Sequence, residues 1–184
     1  MSRPDFQTYP RSFVGLDLET TGVDPTCDRI IEVGLVRMVD GQVSDTFESL
    51  IDPGVSIPTD IVYLTGISDE DVAGAPRIDD VLPRILEFLG DDPVIAHSAS
   101  FDIDFLSAAA RGRAELLVGR GGVFDTLELV RALLPRLPNH RLITAARFFG
   151  IPTGRSHRAA DDARSAAVLF QSLLGVLDQI GTAV

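Results

Sequence analysis

Two carboxylates lie two residues apart near the start of the chain, at Asp17 and Glu19. The apolar residues that alternate with them predict a strand over residues 12–19, so both carboxylates share one face of that strand. Burying them is costly without a partner, and a divalent cation is a suitable partner because hard cations prefer carboxylate oxygens. An ordinary acidic pair that meets solvent or caps the next turn is the alternative interpretation.

A second acidic pair, Asp102 and Asp104, lies in the first turns of a helix predicted over residues 101–111, with Ser100 as its N-cap. The predicted apolar stripe of that helix consists of Phe101, Phe105, Ala108 and Ala109. Asp102 falls inside this stripe, whereas Asp104 lies on its flank. Interaction with the helix dipole explains Asp104, but it does not require an acid to face the core as Asp102 is predicted to do.

A third acidic pair, Asp161 and Asp162, lies near the start of a helix predicted over residues 158–177. The apolar spacing places Asp162 at the edge of the buried face and Asp161 on the opposite, solvated side. His157 precedes this helix on a predicted loop, where it is free to approach whatever Asp162 binds. A lone histidine is more often structural, but its position just before an inward acid favours a functional role.

Together the three pairs supply four inward carboxylates and one titratable imidazole. They are Asp17, Glu19, Asp102, Asp162 and His157. If the fold brings them together, the set suits two-metal phosphoryl chemistry, in which cations roughly 3.5–4 Å apart clamp the attacking and leaving oxygens. A histidine, with an unperturbed pKa of about 6.5, can accept the proton of the attacking water.

The remaining pattern predicts the elements that must position these groups. Strands are predicted at 12–19, 29–39, 42–51, 93–96 and 122–124, and helices at 68–73, 77–89, 101–111, 125–134, 140–149 and 158–177. A tight turn at Asp40-Gly41 is predicted to join the second and third strands. Three strands in succession, followed by strands that alternate with helices, indicate an α/β layered fold with a mixed sheet. We find no repeat or linker, so residues 1–184 are predicted to form one domain.

The charge of the chain is unevenly distributed. Its 184 residues carry a net charge of −11, and all 16 basic residues are arginine. Residues 1–110 carry 6 arginines and 21 acids, a net of −15, while residues 111–184 carry 10 arginines and 6 acids, a net of +4. An acidic half could gather cations and a basic half could hold phosphates. For most of these carboxylates, simple solubility is the alternative explanation.

Composition also excludes several classes of protein. No stretch approaches the ~20 consecutive apolar residues that cross a bilayer, and the polar N-terminus lacks the apolar centre of a signal peptide. No membrane association is therefore predicted. The single cysteine, Cys27, excludes an internal disulfide. A reducing, cytoplasmic location is the resulting expectation.

With these motifs in view, the chain resembles the Asp-Glu-Asp-Asp-His (DEDDh) exonucleases, a family that includes the proofreading epsilon subunit of bacterial DNA polymerase III. The matching stretches are FVGLDLETTG, RIIEVGLV, the segment IDPG…IP…LTGISDEDV, AHSASFDIDFL and HRAADDARSAA. They cover about residues 12–175 in the expected order. The resemblance implies a ribonuclease-H-like fold, an α/β arrangement with a mixed five-stranded sheet flanked by helices.

The resemblance also implies an activity, which is release of nucleoside 5′-monophosphates from a 3′ end with two divalent cations, Mg²⁺ or Mn²⁺. Asp17, Glu19 and Asp162 would hold the first ion. Asp17 would bridge to the second ion, with Asp102 helping through water. His157 would be the general base.

Further residues are implied to contact the substrate. Those that would border the terminal nucleotide are Leu18, Thr20, Thr21, Leu64, Thr65, Ser98 and Phe101. Ser98 occupies a position where many members have asparagine, and it keeps a hydrogen-bonding group but loses reach. Arg141, Arg155 and Arg158 are close in sequence to His157 and are the predicted phosphate contacts. Surface ion pairs are the alternative role for each of them.

The predicted substrate is the 3′ end of single-stranded or frayed DNA, and the predicted partner is a DNA polymerase or a larger parent protein. Thr20 stands where the oligoribonuclease branch usually has methionine, which favours DNA over RNA; a 3′→5′ exoribonuclease remains the alternative. A catalytically silent nucleic-acid-binding or polymerase-docking module is disfavoured by the intact set of five groups. A nucleotide-binding α/β protein is disfavoured because no Gly-rich phosphate loop follows the first strand. Proofreading, repair and turnover are all compatible with these motifs.

Overall fold

A computed structural model describes residues 9–111, 121–154 and 157–181 of the chain. The strands in these ranges are β1 (Ser12–Thr20), β2 (Ile30–Val39), β3 (Gln42–Leu50), β4 (Val94–Ala96) and β5 (Val123–Asp125). The helices are α1 (Thr59–Thr65), α2 (Asp69–Val72), α3 (Ile78–Leu89), α4 (Ala99–Ala109), α5 (Thr126–Leu133), α6 (Leu142–Phe148) and α7 (Ala159–Gly181). None of the described helices combines the length and the hydropathy that a bilayer span requires.

The five strands form one mixed sheet in the order β3-β2-β1-β4-β5. β2 is antiparallel to both β1 and β3, whereas β1, β4 and β5 are parallel to one another. Asp40 and Gly41 both have positive φ, 49° and 80°, which is the backbone that a two-residue hairpin turn requires. The sheet confirms the predicted α/β class and the ribonuclease-H-like arrangement.

One helix was missed by the sequence analysis. α1 lies in a Pro- and Gly-rich segment for which only the helix near residues 68–73 was predicted. The helix begins directly after Pro58 and ends at Gly66, whose φ of 72° is left-handed. Both residues therefore mark its ends and do not interrupt it. Helix α1 carries Leu64, one of the residues that the resemblance assigns to the substrate.

The core lies on both faces of the sheet. On one face, apolar side chains of β1 pack against α3 and α4, and the cluster includes Val14, Leu16, Leu18, Val81, Ile85, Phe105 and Leu106. On the other face, α7 packs against β1 and β2, with Phe13, Val36, Met38, Ala163, Ala167 and Phe170. β1 is therefore buried on both sides, and any charged residue on it requires a compensating partner.

Two glycines let α7 lie unusually close to the sheet. A Cβ at Gly15 of β1 would collide with the backbone oxygen of Ala163, and a Cβ at Gly34 of β2 would collide with the backbone of Ala159. Both glycines lie on the same sheet face as Asp17, since residues two apart in a strand share a face. The first turns of α7 are thereby brought against the part of the sheet that carries the first acidic pair.

Candidate active site

β1 presents Asp17 and Glu19 on one face, as the strand periodicity predicted, and α7 covers that face. Glu19 is 8% exposed and Asp17 is half-buried. In the β1–β2 ladder, Asp17 lies opposite Gly34 and Glu19 lies opposite Glu32. The sheet therefore places three carboxylates together at one end of its α7 face.

Asp102 reaches this place from α4. The parallel pairing of β1 with β4 runs through Gly15, and beyond it the Leu18 N–H donates to Asp102 Oδ1 at 3.1 Å. The carboxylate thus takes the place of a strand partner where β4 has ended. Asp102 is 3% exposed, whereas Asp104 is exposed, so the predicted inward and outward orientations of the two are confirmed.

The start of α4 differs from the prediction. Ser100 is not the N-cap, because the helix begins at Ala99. The carboxylate of Asp125 instead accepts hydrogen bonds from the N–H groups of Ser98 and Ala99, each at 3.0 Å, and from Leu127 N–H at 2.8 Å. The predicted stripe is also shifted: Ala108 is exposed, and the buried helical residues are Ala99, Asp102, Phe105 and Leu106. Asp125 was missed, although an aspartate before a helix is itself an N-cap pattern.

Ser98 has a left-handed backbone, with φ 74° and ψ 53°. Among residues other than glycine, asparagine and aspartate adopt this conformation most readily, because their short polar side chains form local hydrogen bonds. This backbone requirement gives a physical reason for asparagine at this position in the resembling family. The serine in this chain therefore differs from asparagine in backbone preference as well as in reach.

Asp162 and His157 approach from the start of α7. His157 has a φ of 60°, its N–H donates to Asp162 Oδ2 at 2.9 Å, and its Nδ1 lies 4.0 Å from Glu19 Oε1. Asp162 is half-buried, as expected for the edge of the buried face. Asp161 is not the solvated neighbour that was predicted, since it is also half-buried with its carboxylate against Gly154.

Mutual repulsion and burial dominate the electrostatics of these groups. Burial raises the pKa of Asp17 well above its usual range, and the Asp102 and Glu19 carboxylates raise it further. Burial likewise raises the pKa of Asp102, which the Leu18 N–H opposes, and of Asp162, which the His157 N–H opposes. For Glu19, burial followed by the Asp162 and Glu32 charges raises the pKa to about 8. Without a cation, these carboxylates therefore keep their protons to a higher pH than exposed acids do, because their ionised forms are buried and repel one another.

The donor set fits hard divalent cations. Oxygen atoms of carboxylates are the ligands that Mg²⁺ and Mn²⁺ prefer, and an ion would relieve the repulsion that raises these pKa values. Among the described residues, potential ligand atoms of Glu19, Asp162 and His157 lie within 4.8 Å of one another. His157 belongs to this cluster, although the resemblance assigns it the role of a base and not of a metal ligand. Asp17 and Asp102, which are predicted ligands, do not belong to it.

A small cavity opens over the carboxylates and continues towards α6. Its volume is about 280 Å³, and its walls include Leu18, Ser98 and Phe101 as well as the four acids and His157. An adjoining cavity of about 800 Å³ is lined by Leu64 and Arg141, among others. Two wall residues shared by both cavities, His97 and Leu142, were missed by the sequence analysis. Five predicted substrate-binding residues therefore lie along one continuous depression.

His97 links the two sides of this depression. One ring nitrogen, Nε2, donates to the backbone oxygen of His140 at 2.9 Å, and the other, Nδ1, lies 3.0 Å from Thr126 Oγ1. The ring thereby ties the end of β4 to the segment that leads into α6. Because His97 opens the second motif, its place beside the site was detectable, but its partners were not.

Three predicted substrate-binding threonines lie elsewhere. Thr20, Thr21 and Thr65 are each buried, and none lines either cavity. The hydroxyl of Thr20 donates to Gly22 O and that of Thr65 donates to Ile61 O. The Thr21 hydroxyl accepts the Arg29 N–H. These hydroxyls form hydrogen bonds with backbone groups close by in the structure, and the contacts predicted for Thr20, Thr21 and Thr65 with the terminal nucleotide stay predictions.

Arg158, a predicted phosphate contact, forms an ion pair, which was the alternative role for it. Its guanidinium forms an ion pair with the buried Glu32, with an Nη2–Oε1 distance of 2.6 Å. Glu32 was missed as part of the site, and its position within RIIEVGLV does not by itself indicate an arginine partner. Arg155 lies outside the described residues. Of the three arginines, only Arg141 lines the depression in the described part of the chain.

The chain is similar in sequence to proteins of a known family. A family model described as "Exonuclease" matches residues 14–170. A PolC-type DNA polymerase III of Caldanaerobacter subterraneus is 40% identical over 169 residues, which cover 92% of this chain but 12% of that protein. A putative bifunctional exonuclease/endonuclease of Mycobacterium tuberculosis is 43% identical over 171 residues, which cover 89% of this chain and 26% of that protein. The chain thus spans about an eighth to a quarter of the length of these relatives.

Solved structures share the same architecture. Exonuclease X in complex with 5′-overhanging duplex DNA matches with a TM-score of 0.72 and 25% identity, covering 89% of this chain and 91% of that one. Escherichia coli exonuclease I in complex with a dT13 oligonucleotide matches with a TM-score of 0.80 and 18% identity, covering 94% of this chain and 43% of that one. The second likeness supports the fold, and the first extends over nearly the whole length of both chains.

Proposed function

The chain belongs to the exonuclease family, and on that premise we propose that it hydrolyses phosphodiester bonds at the 3′ end of DNA, releasing nucleoside 5′-monophosphates one at a time. The observation that carries this proposal is the convergence of four carboxylates and His157 at a single cavity. Their elements are β1, α4 and the start of α7, which are far apart in the chain. A structural role for the set is disfavoured because buried acids that repel one another destabilise a fold.

The proposed roles of the residues follow from their positions. Asp17, Glu19 and Asp162 would hold one divalent cation, Mg²⁺ or Mn²⁺, and Asp17 with Asp102 would hold a second. When bound, the ions would neutralise charge on the phosphate and assist the attacking water. The hydrogen bond from Leu18 to Asp102 orients one carboxylate, and that from the His157 N–H orients Asp162. His157 would accept the proton of the water.

The depression offers a path for the strand. Leu18, Ser98 and Phe101 would border the terminal nucleotide in the smaller cavity, while Leu64 and Arg141 would contact the strand in the larger one. A basic residue that neutralises a phosphate binds all sequences similarly, which suits an enzyme that degrades any 3′ end. Leu64 is half-exposed on α1, so it can move aside for a base without loss of core packing.

DNA is the proposed substrate, and a polymerase is the proposed partner. Relatives are named as DNA polymerases, and exonuclease X is described in complex with DNA. We propose that the chain acts as one catalytic domain in the cytoplasm, alone or as part of a larger protein that presents a 3′ end to it. If that larger protein is a DNA polymerase, removal of mismatched nucleotides during synthesis is the role that we propose.

Digestion of three labelled substrates tests the proposal. Single-stranded DNA, duplex DNA with a mismatched 3′ end, and RNA carry a 5′ label and are incubated with and without Mg²⁺ or Mn²⁺. We expect a ladder of DNA products that shorten by one nucleotide from the 3′ end, and no products in a chelator. If RNA is digested faster than either DNA, the proposed DNA substrate is wrong and RNA is the substrate. If all three substrates stay intact under every condition, the chain is a catalytically silent binding module and the proposed activity is wrong.

The raised carboxylate pKa values predict how metal-free stability depends on pH. Glu19 has a folded-state pKa of about 8, above its ordinary 4.5. A raised acid pKa means that the unfolding free energy is highest below about pH 4.5 and is lost as pH rises towards 8. For Glu19 this loss is at most on the order of 3–5 kcal/mol, since one pKa unit is worth about 1.4 kcal/mol.

Chemical denaturation in a chelator between pH 5 and 8 measures this loss, and excess Mg²⁺ at pH 8 should restore about 2–4 kcal/mol through binding to the folded state. Asp104→Asn is the control, because Asp104 is exposed and should leave the slope unchanged. A metal-free stability that is flat or rises over this pH range would contradict the buried, uncompensated site.

A further inference from the structure

A fifth carboxylate, Glu32, lies beside the proposed ligands. It is 3% exposed and pairs directly with Glu19 across the β1–β2 ladder, so both side chains lie on the face that α7 covers. Directly opposite side chains on neighbouring strands have Cβ atoms about 4.5–5.5 Å apart, and like charges there repel. Glu32 has the chemistry of a metal ligand, and nothing in its residue type separates it from Glu19.

The partners of Glu32 set it apart. Arg158 donates through Nε and Nη2 to Oε1 at 3.0 and 2.6 Å, and the Ala159 N–H donates to Oε2 at 2.9 Å. Both carboxylate oxygens therefore accept hydrogen bonds from one turn of α7. Charge-assisted bonds of this kind are stronger than neutral ones and hold both partners in a defined geometry.

The backbone of Arg158 connects this pair to the catalytic groups. Its carbonyl oxygen accepts the N–H groups of Asp161 and Asp162, each at 3.0 Å, which begins α7. The preceding residue, His157, donates its N–H to the Asp162 carboxylate. Arg158 therefore follows the proposed base directly in the chain and is hydrogen-bonded through its backbone to the proposed ligand Asp162, while its side chain is anchored to β2.

We propose that Glu32 and Arg158 are a positioning pair, in which Arg158 keeps the fifth carboxylate out of the metal-binding set and fixes the first turn of α7 so that Asp162 and His157 face Glu19. The close approach of Ala159 to Gly34 makes this placement specific, since the turn lies directly on β2. The inference rests on the proposed function, because it concerns the same site. It replaces the sequence-based prediction that Arg158 grips a phosphate.

The test compares Arg158→Gln, Glu32→Gln and the double variant with two further arginine variants. Arg164→Gln removes an exposed arginine of α7 and should behave as wild type. Arg141→Gln serves as the reference for a phosphate contact. For each protein, calorimetry measures Mn²⁺ affinity without nucleic acid, and digestion of single-stranded DNA gives kcat, KM and the salt dependence. The calorimetry does not depend on turnover, so failure of the proposed function and failure of this pair are distinguishable.

We expect Arg158→Gln to weaken Mn²⁺ binding and lower kcat by about 10–100-fold, the range found when residues that orient metal ligands are removed. KM should stay within about threefold, and the salt dependence should be unchanged because no phosphate contact is lost. Adding Glu32→Gln should recover part of both losses, since the unpaired buried carboxylate is then gone. Arg158→Lys should rescue only partly, because lysine lacks the planar fork.

Two results would overturn the proposal. The first is Mn²⁺ affinity in Arg158→Gln that is equal to or tighter than that of wild type. The second is a raised KM with the salt slope flattened by about one unit, as for a lost phosphate contact. If circular dichroism shows that Arg158→Gln does not fold, Arg158→Lys and Glu32→Gln are measured in its place. Wild-type Mn²⁺ affinity and wild-type kcat in both of these variants would also overturn the proposal.

Discussion

Replacing Asp17 with asparagine is expected to lower kcat by about 10³-fold or more at saturating Mg²⁺, because this carboxylate would contact both ions and their charge stabilisation is worth several kcal/mol. The same change should stabilise the metal-free protein near pH 8. Burial and the Asp102 and Glu19 charges raise the pKa of Asp17, so ionising it costs folding free energy. Turnover assays and chemical denaturation in a chelator measure the two effects. If Asp17→Asn keeps more than a tenth of wild-type turnover, Asp17 is not a metal ligand of the site.

The second acidic pair supplies a matched comparison on one helix. Asp102→Asn should reduce kcat by several orders of magnitude, whereas Asp104→Asn should cost less than about tenfold, because Asp102 is buried against Leu18 and Asp104 is exposed. The chemical change is identical in both variants. A larger loss in Asp104→Asn would mean that α4 presents a different face to the substrate.

Replacing His157 with alanine is expected to lower kcat by about 10²–10⁴-fold, the usual contribution of a positioned base. A histidine base acts in its neutral form, so wild-type kcat should rise with pH and the variant should lose this rising limb. His157 has a left-handed backbone, which asparagine tolerates better than alanine. His157→Asn therefore removes the base while preserving the turn, and the pH–rate profiles of both variants measure the effect.

Metal affinity decides between two roles for His157. Its ring lies in the same 4.8 Å cluster as Glu19 and Asp162, so a ligand role competes with the base role. If His157 is a base, calorimetry should show that His157→Asn binds Mn²⁺ within about threefold of wild type. If His157 is a metal ligand or orients one, the affinity should fall by more than about tenfold. A variant that keeps both the rising limb and most of kcat would show that another group is the base.

Local patterns in the sequence determined the elements and the faces of the site. Alternation in β1 predicted that Asp17 and Glu19 share a face, and helical spacing predicted that Asp102 points inward and Asp104 outward. These predictions succeed because side-chain direction repeats every 2.0 or 3.6 residues and depends only on neighbours in the chain. Asp40-Gly41 predicted its hairpin for the same reason.

Helix starts and side-chain hydrogen bonds were less predictable. Ser100 has the residue type of an N-cap, but Asp125 performs this task for α4 from another strand. Thr20 and Thr65 have residue types that suit substrate contacts, yet their hydroxyls satisfy backbone groups in their own turns. Several neighbours compete for each polar side chain, and residue type alone does not determine which one it meets.

Only the tertiary structure decided which polar groups bond to one another. Arg158 and Glu32 are 126 residues apart, and Leu18 and Asp102 are 84 apart, so neither pairing leaves a local pattern. Both depend on how closely the helices lie on the sheet, and at α7 that distance is set by the absence of side chains at Gly15 and Gly34. Chain periodicity determines the direction of a side chain, whereas its partner depends on the packing of whole elements, which is the sum of many contacts distant in sequence.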